Sequence, residues 1–324
     1  MFVRSCYQVF GKWSAFSKRL DFAFAFAVAI GAILLTGSGL AAPQGKGGGG
    51  GGGGGGGSTP PADPAIAYLV LGNKPSISVM NADGSRKTVV LQFKSQLITG
   101  ISWSPDGTML AFGGSFRLSD GILRQGIAVL DVAVVNGTPV GSNLRVIGSL
   151  PPYAKPTWAL DGSYIAFGSD DKLYGISPNG GAPFVVAALP DFGGGSVSFS
   201  PDGARVAYNS YDGFGYFLRV LNLSDQSTYV VCPTSNDIRH IDWARNSDRI
   251  AMDPGGPVVQ IVDALPNSTP ETIATSSWFP TWSPDDSRIL YTTGASDSIV
   301  IRNLITGTVT STGAKGRQAN WRRF

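Results

Sequence analysis

The residues best suited to chemistry in this chain are few: one histidine, His240, and two cysteines, Cys6 and Cys232. A single imidazole supplies no histidine metal cluster, and without a G-x-S-x-G elbow it is not part of a recognisable serine-hydrolase triad. Cys232 stands eight positions before His240. A thiol and a base act together only when they meet in space and a third group orients the base, so spacing alone does not pair them. Cys232 falls on an apolar run starting near Tyr229, where a small buried thiol packs like any other apolar side chain. His240 sits just before the segment IDWAR, as a polar strand-end or rim residue. With Cys6 in the leader, processing leaves no second thiol for an internal disulfide.

The carboxylates are more numerous. Asp106, Asp161, Asp202, Asp285 and Asp286 recur at equivalent points, and Asp170 and Asp171 follow a strand. Acids brought to one channel from several elements would bind calcium or work on a glycosidic bond. Their recurrence has a simpler cause, because aspartate in a turn accepts from backbone amides two residues on. No contiguous D-x-D-x-D calcium loop is present. No residue is therefore assigned as catalytic, cofactor-binding or metal-ligating, no cofactor is expected, and the expectation is a non-catalytic protein.

What must position these residues is a repeat. From Ala65 the sequence repeats with a period near 40: ISWSPDGTMLAF (101–112), PTWALDGSYIAFGS (156–169), VSFSPDGARVAYNS (197–210), IDWARNSDRIAMDP (241–254) and PTWSPDDSRILYTT (280–293), with QANWRRF as a shortened sixth copy. The aromatic positions Trp103, Trp158, Phe199, Trp243, Trp282 and Trp321 are 55, 41, 44, 39 and 39 residues apart. Each copy reads as a short strand, a tight turn set by proline, aspartate and glycine, and a β-branched or aromatic strand, with two more strands following. Four-stranded units with two apolar faces bury both by stacking radially, so the fold class is all-β, a propeller. The repeated aromatics belong to the packing between blades.

The two ends count the blades. AIAYLVLG, SISVMNADGS and KTVVLQ in residues 65–93 supply the last three strands of a unit, and residues 318–324 supply its first. Joined, they make a six-bladed ring of four-stranded antiparallel blades, closed by terminal strands that share one blade. Blade one is the longest; GSFRLSDGILRQG (114–126) and AVVNGTPVGSN (133–143) read as loops between its strands, either rim binding elements or simple length drift.

Ahead of the repeats, residues 1–42 read as a signal peptide or membrane anchor: a basic flank, the apolar run FAFAFAVAIGAILL (22–35), then small residues suited to cleavage near Ala41 or Ala42. Fourteen apolar residues fall short of the roughly 20 that span a bilayer, yet the uncharged stretch extends to Gly45, so cleavage and retained anchoring through residues 22–41 both stand. Either sends the body across the membrane, giving a periplasmic or extracellular protein. Residues 43–64 hold eleven consecutive glycines and form a flexible linker, leaving residues 65–324 as the propeller domain. Four of the 25 basic residues and one of the 22 acids lie before residue 42, so the body is neutral and no nucleic-acid partner is expected. Asn136, Asn222 and Asn267 open N-x-S/T triplets, a pattern common by chance.

Two strings, Trp103 to Gly107 (WSPDG) and Val79 to Gly84 (VMNADG), resemble the WD40-like repeat of TolB-type propellers, and looser versions cover most of residues 65–324. The resemblance implies that the turn residues shape blades and do not catalyse, and that the partner is an envelope protein or lipoprotein. Members of the TolB type carry an α/β domain ahead of the propeller, whereas here a glycine linker precedes it. The expected function is an exported protein-binding scaffold of the cell envelope. The alternative is a carbohydrate-active hydrolase or lyase with its site at the channel mouth, which would require convergent acids.

Overall fold

The computed structural model describes residues 63, 65–148, 154–294 and 296–323. The leader read over residues 1–42, and all of the linker 43–64 except Asp63, lie outside the described residues. Among the described residues no helix is long and apolar enough to cross a membrane.

Strands β1 (Ile66–Val70), β2 (Ser76–Met80) and β3 (Thr88–Gln92) come first in the chain. Blade 1 follows as β4 (Ser95–Trp103), β5 (Met109–Arg117), β6 (Leu123–Val135) and β7 (Thr138–Gly148). Blade 2 is β8 (Thr157–Trp158), β9 (Ile165–Ser169), β10 (Lys172–Ile176) and β11 (Phe184–Ala188), and blade 3 is β12 (Phe192–Phe199), β13 (Arg205–Tyr211), β14 (Tyr216–Asn222) and β15 (Thr228–Thr234). Blade 4 is β16 (His240–Trp243), β17 (Arg249–Asp253), β18 (Val258–Asp263) and β19 (Glu271–Thr275); blade 5 is β20 (Ser277–Trp282), β21 (Arg288–Thr293), β22 (Ser298–Asn303) and β23 (Val309–Lys315). The last strand, β24 (Arg317–Trp321), pairs antiparallel with β1, so blade 6 runs β24-β1-β2-β3 and the six-bladed ring closes inside one blade as expected.

The turn between the first two strands of a blade explains why the repeat carries its residues. In blade 1 the Gly107 amide donates to Ser104 O at 2.9 Å, and Asp106 Oδ1 accepts from Ser104 Oγ at 2.6 Å and from the Thr108 amide at 3.1 Å. Gly107 has φ +70°, a backbone conformation that favours glycine, and a Cβ there would lie 2.2 Å from the Arg322 side chain and force it to shift. Ser200 with Asp202 and Ser283 with Asp285 repeat the same bonds.

The six aromatics are the packing between blades, none of them more than 4% exposed. Each apolar cluster draws from two consecutive blades: Ile127 of blade 1 packs with Trp158 and Ile165 of blade 2, and Leu218 of blade 3 with Trp243 of blade 4. A second repeated position completes the contact. The first residue of β13, β17 and β21 is arginine, and Arg205, Arg249 and Arg288 lie over the rings of Trp243, Trp282 and Trp321 at 4.8–5.1 Å, each in the next blade. In blades 1 and 2 the same role falls to Met109, packed beside the Trp158 cluster, and to Tyr164, edge-on to Phe199.

Blade 1 corrects one expectation. Residues 114–126 and 133–143 are mostly not loops: β5 and β6 continue to Arg117 and from Leu123, and β6 and β7 pair as far as Val135 with Thr138. The long hairpin turns on Asn136 (φ 50°) and Gly137 (φ 73°), the residue pair that suits a two-residue turn matching strand twist. The extra length is strand extending outward from the blade.

Candidate functional site

Every blade's first strand lines the ring's centre, and all six run the same way. One rim of the ring, the entry rim, therefore holds the starts of these strands and the loops joining second to third strands. The opposite rim, the turn rim, holds the aspartate turns and the hairpins joining third to fourth strands.

Immediately before each aromatic stands a polar residue: Ser102, Thr157, Ser198, Asp242, Thr281 and Asn320. Several bond to the next blade's aromatic residue, Ser198 Oγ accepting from the Trp243 amide at 2.9 Å, Asp242 Oδ2 from the Trp282 amide at 2.8 Å and Asn320 Oδ1 from the Trp103 amide at 3.0 Å. Asp242 is the one acid in this column and is the most heavily bonded. It also accepts from Thr281 Oγ1 at 2.8 Å and takes a two-point ion pair from Arg245 at 2.9 and 3.1 Å, with both side chains more than 90% buried. Arg323 reaches the same region from the chain's end and donates to Phe199 O. Burial first, then the neighbouring Arg245 charge, bring its guanidinium down to about 9.

At the entry rim a second charged group assembles. Lys155, preceding β8, donates to Arg239 O at 2.5 Å across the channel, and burial lowers its pKa. Asp237 and Asp253 lie within electrostatic reach of Lys155 and Arg239. Burial raises both carboxyls, Asp253 to about 6. Their oxygens accept from neighbours: Asp253 from the Gly255 and Phe279 amides at 3.2 and 3.4 Å, Asp237 from Asn209 Nδ2 at 2.7 Å. His240 opens β16 at this rim with its ring edge-on to Phe279; burial lowers it to about 4, and its Nε2 has no partner among the described residues. Among the described residues no three histidine, cysteine, aspartate or glutamate side chains gather to hold a metal ion.

The acids singled out in the sequence do not converge. Asp106, Asp161, Asp202 and Asp285 each accept from an amide two residues on, as turn residues. Asp286 departs from the pattern: it holds the glycine position at φ 56° and accepts from the Arg245 and Asn246 amides and Ser247 Oγ of blade 4. Asp170 and Asp171 form a left-handed turn, with Asp171 Oδ1 accepting from the Phe192 amide. Cys232 is fully buried on β15, its thiol pushed up to about 11 by burial. The residues that do meet, Asp242, Arg245 and Arg323 at one end and Lys155, Asp237 and Asp253 at the other, were missed. Their signal was departure from the repeat: position two after the aromatic is Pro105, Leu160, Pro201 and Pro284 in four copies but Arg245 and Arg323 in two.

A surface concavity of about 830 Å³ on the turn rim carries Asp63, Asp131, Arg145 and Arg322, which neutralise one another in two ion pairs at 2.7 and 2.8 Å. Both rims expose apolar side chains, Ile305 (85%) and Leu265 (57%) on the turn rim, and Leu97 and Ile122 (about 60%) with Phe214 (99%) on the entry rim. Phe214 tips a braced loop, for Asp212 Oδ1 accepts from the Phe214 and Gly215 amides at 2.9 and 3.0 Å and the Tyr211 ring packs on Tyr216 at 4.7 Å.

No family model and no curated protein matches the sequence. Solved structures do. TolB from Acinetobacter baumannii superposes with a TM-score of 0.61 at 17% identity, over 80% of this chain and 66% of that one. The chain is a propeller structurally related to those of the TolB family. A putative TolB from Agrobacterium tumefaciens follows at TM-score 0.54 and 16% identity, covering 78% of this chain and 89% of that one. A chain of the nidogen–laminin complex matches at 0.57 and 8% over 80% and 98%. At these identities the likeness to TolB is one of fold, and the chain spans just under two thirds of the Acinetobacter protein.

Proposed function

We propose that this protein is an exported, non-catalytic scaffold of the cell envelope that docks an envelope protein or lipoprotein on its entry rim. The observation that carries the reading is Phe214: a wholly exposed aromatic on a loop stiffened by Asp212 and the Tyr211–Tyr216 pair. An aromatic held ready in this way loses little conformational freedom on binding, and such anchors dominate interface energetics. The leader at 1–42 and the glycine linker at 43–64 supply export, or attachment through residues 22–41, with freedom to search.

The test is capture from envelope extract with the full chain tagged inside the glycine tract. A saturable protein should be retained, competed by untagged chain, lost with Phe214→Asp and kept with Ile305→Asp, which alters an exposed residue on the turn rim. Equal capture by both variants, or none with folding verified by circular dichroism, overturns the reading. Carbohydrate hydrolysis or lysis at the entry-rim mouth is the second reading, favoured by the raised carboxyls of Asp237 and Asp253; glycan turnover abolished by Asp253→Asn would establish it instead.

A further inference from the structure

At the turn-rim end of the channel the repeat is broken twice in the same way. Arg245 and Arg323 both stand two residues after the blade aromatic, the position of prolines that elsewhere shape the turn. Both line a small central cavity of about 30 Å³, to which five of the six inner strands contribute. One carboxylate, Asp242, faces the two guanidiniums there, and four donors already occupy it. Asp286, the other acid within electrostatic reach of Arg323, is taken up by three donors of blade 4. Among the described residues Arg323 makes no ion pair.

Two buried donors without acceptors belong to residues that line the cavity, although the Trp243 and Trp282 indoles, which do not, lack acceptors among the described residues as well. Arg245, whose side chain is 7% exposed, has a buried Nε with no acceptor among the described residues, and so has the Trp103 indole Nε1; both residues line the cavity. A buried donor left unmade costs about 1–3 kcal/mol, more when charged. From this excess of positive charge and the unmet Arg245 Nε–H beside a small cavity, we infer that the channel binds one small monovalent anion, of chloride size, between Arg245 and Arg323. The volume sets the class. Roughly 10–15 Å³ of such space admits one water, so about 30 Å³ suits a halide and excludes sulfate, phosphate or a sugar acid. A water would fill the space and accept from one or two donors, but it would leave the second guanidinium uncompensated. The anion ties the end of the chain to blade 4 and thereby acts on ring closure. The inference is independent of the docking role proposed for the opposite rim.

Two measurements test it on the full chain. Crystals soaked in sodium bromide should show one anomalous peak within hydrogen-bond reach of Arg245 Nε and the Arg323 guanidinium; a water there, with bromide only on the outer surface, overturns the inference. Melting in sodium chloride should exceed melting in sodium gluconate of equal ionic strength by about 5 °C at a hundredfold excess over Kd. That difference should vanish in Arg323→Gln and persist in Arg317→Gln, whose arginine pairs with Asp297 away from the channel. An equal response in both variants, or none in the native chain, also overturns it. Should Arg323→Gln fail to fold, the bromide experiment decides alone.

Discussion

Replacing Trp321 by alanine tests the closure of the ring at a single side chain. Trp321 is 1% exposed, sits in the cluster that joins blades 5 and 6, and lies 4.9 Å beneath the Arg288 guanidinium. Truncating a buried tryptophan costs about 3–5 kcal/mol, and losing the cation's attraction adds about 0.5–1 kcal/mol. A domain of this size loses roughly 2–4 °C of melting temperature per kcal/mol, so the expected fall is about 7–24 °C. Thermal and guanidinium unfolding followed by circular dichroism reads it. Arg288→Met, which keeps the tryptophan, should fall by no more than about 4 °C. Trp278→Ala, at the partly exposed start of β20, should cost less than Trp321→Ala. Deleting residues 318–324 should cost more, because β1 then loses its pairing with β24. A Trp321→Ala melt within about 2 °C of the native protein would refute the closure argument.

Between about pH 4 and 6.5 Asp253 and His240 at the entry rim act in opposite directions, and Asp237, its carboxyl also raised by burial, acts in the same direction as Asp253. Asp253 titrates near 6 when folded, above its unfolded value, so its contribution is lost as pH rises; His240 titrates near 4, below its unfolded value, so its contribution is lost as pH falls. Relative to the native protein, denaturant midpoints should therefore rise more with pH over this window in Asp253→Asn and fall more with pH in His240→Gln. Cys232, buried and with its thiol held near 11, should resist a thiol reagent in the native protein and react at once in denaturant, as mass spectrometry would register. Asp286→Gly relieves a left-handed residue but removes three bonds to blade 4; the loss should prevail, lowering stability by about 1–3 kcal/mol in denaturant titrations.

The ring was legible because its signals are local and repeated. Proline, aspartate and glycine set the first turn within five residues in blades 1 and 3, blades 2 and 5 keep most of that pattern, and the spacing of the aromatics marks one unit per blade. The shared sixth blade followed from counting strands at the ends. What was hidden depends on partners in another blade. Asp242 looks like any strand acid until Arg245 and the amide of Trp282 are placed against it, and Lys155 meets Arg239 only because the ring brings positions 84 residues apart together. The extended hairpin of blade 1 was misread because its glycines and polar residues resemble loop composition, whereas an outer strand exposed to solvent needs no apolar alternation to pair. Asn136-Gly137 was the clue to its turn.

Closure through β1 has a mechanical consequence. A force applied through the segment ahead of residue 63 arrives at β1, the second strand of its blade, hydrogen-bonded to β2 on one side and β24 on the other. Pulling along that strand loads two ladders in shear at once, so their bonds share the tension and do not open singly. Had the ring begun with an edge strand, the same pull would peel it away. A load entering at β1 therefore meets its greatest resistance at the seam that closes the ring.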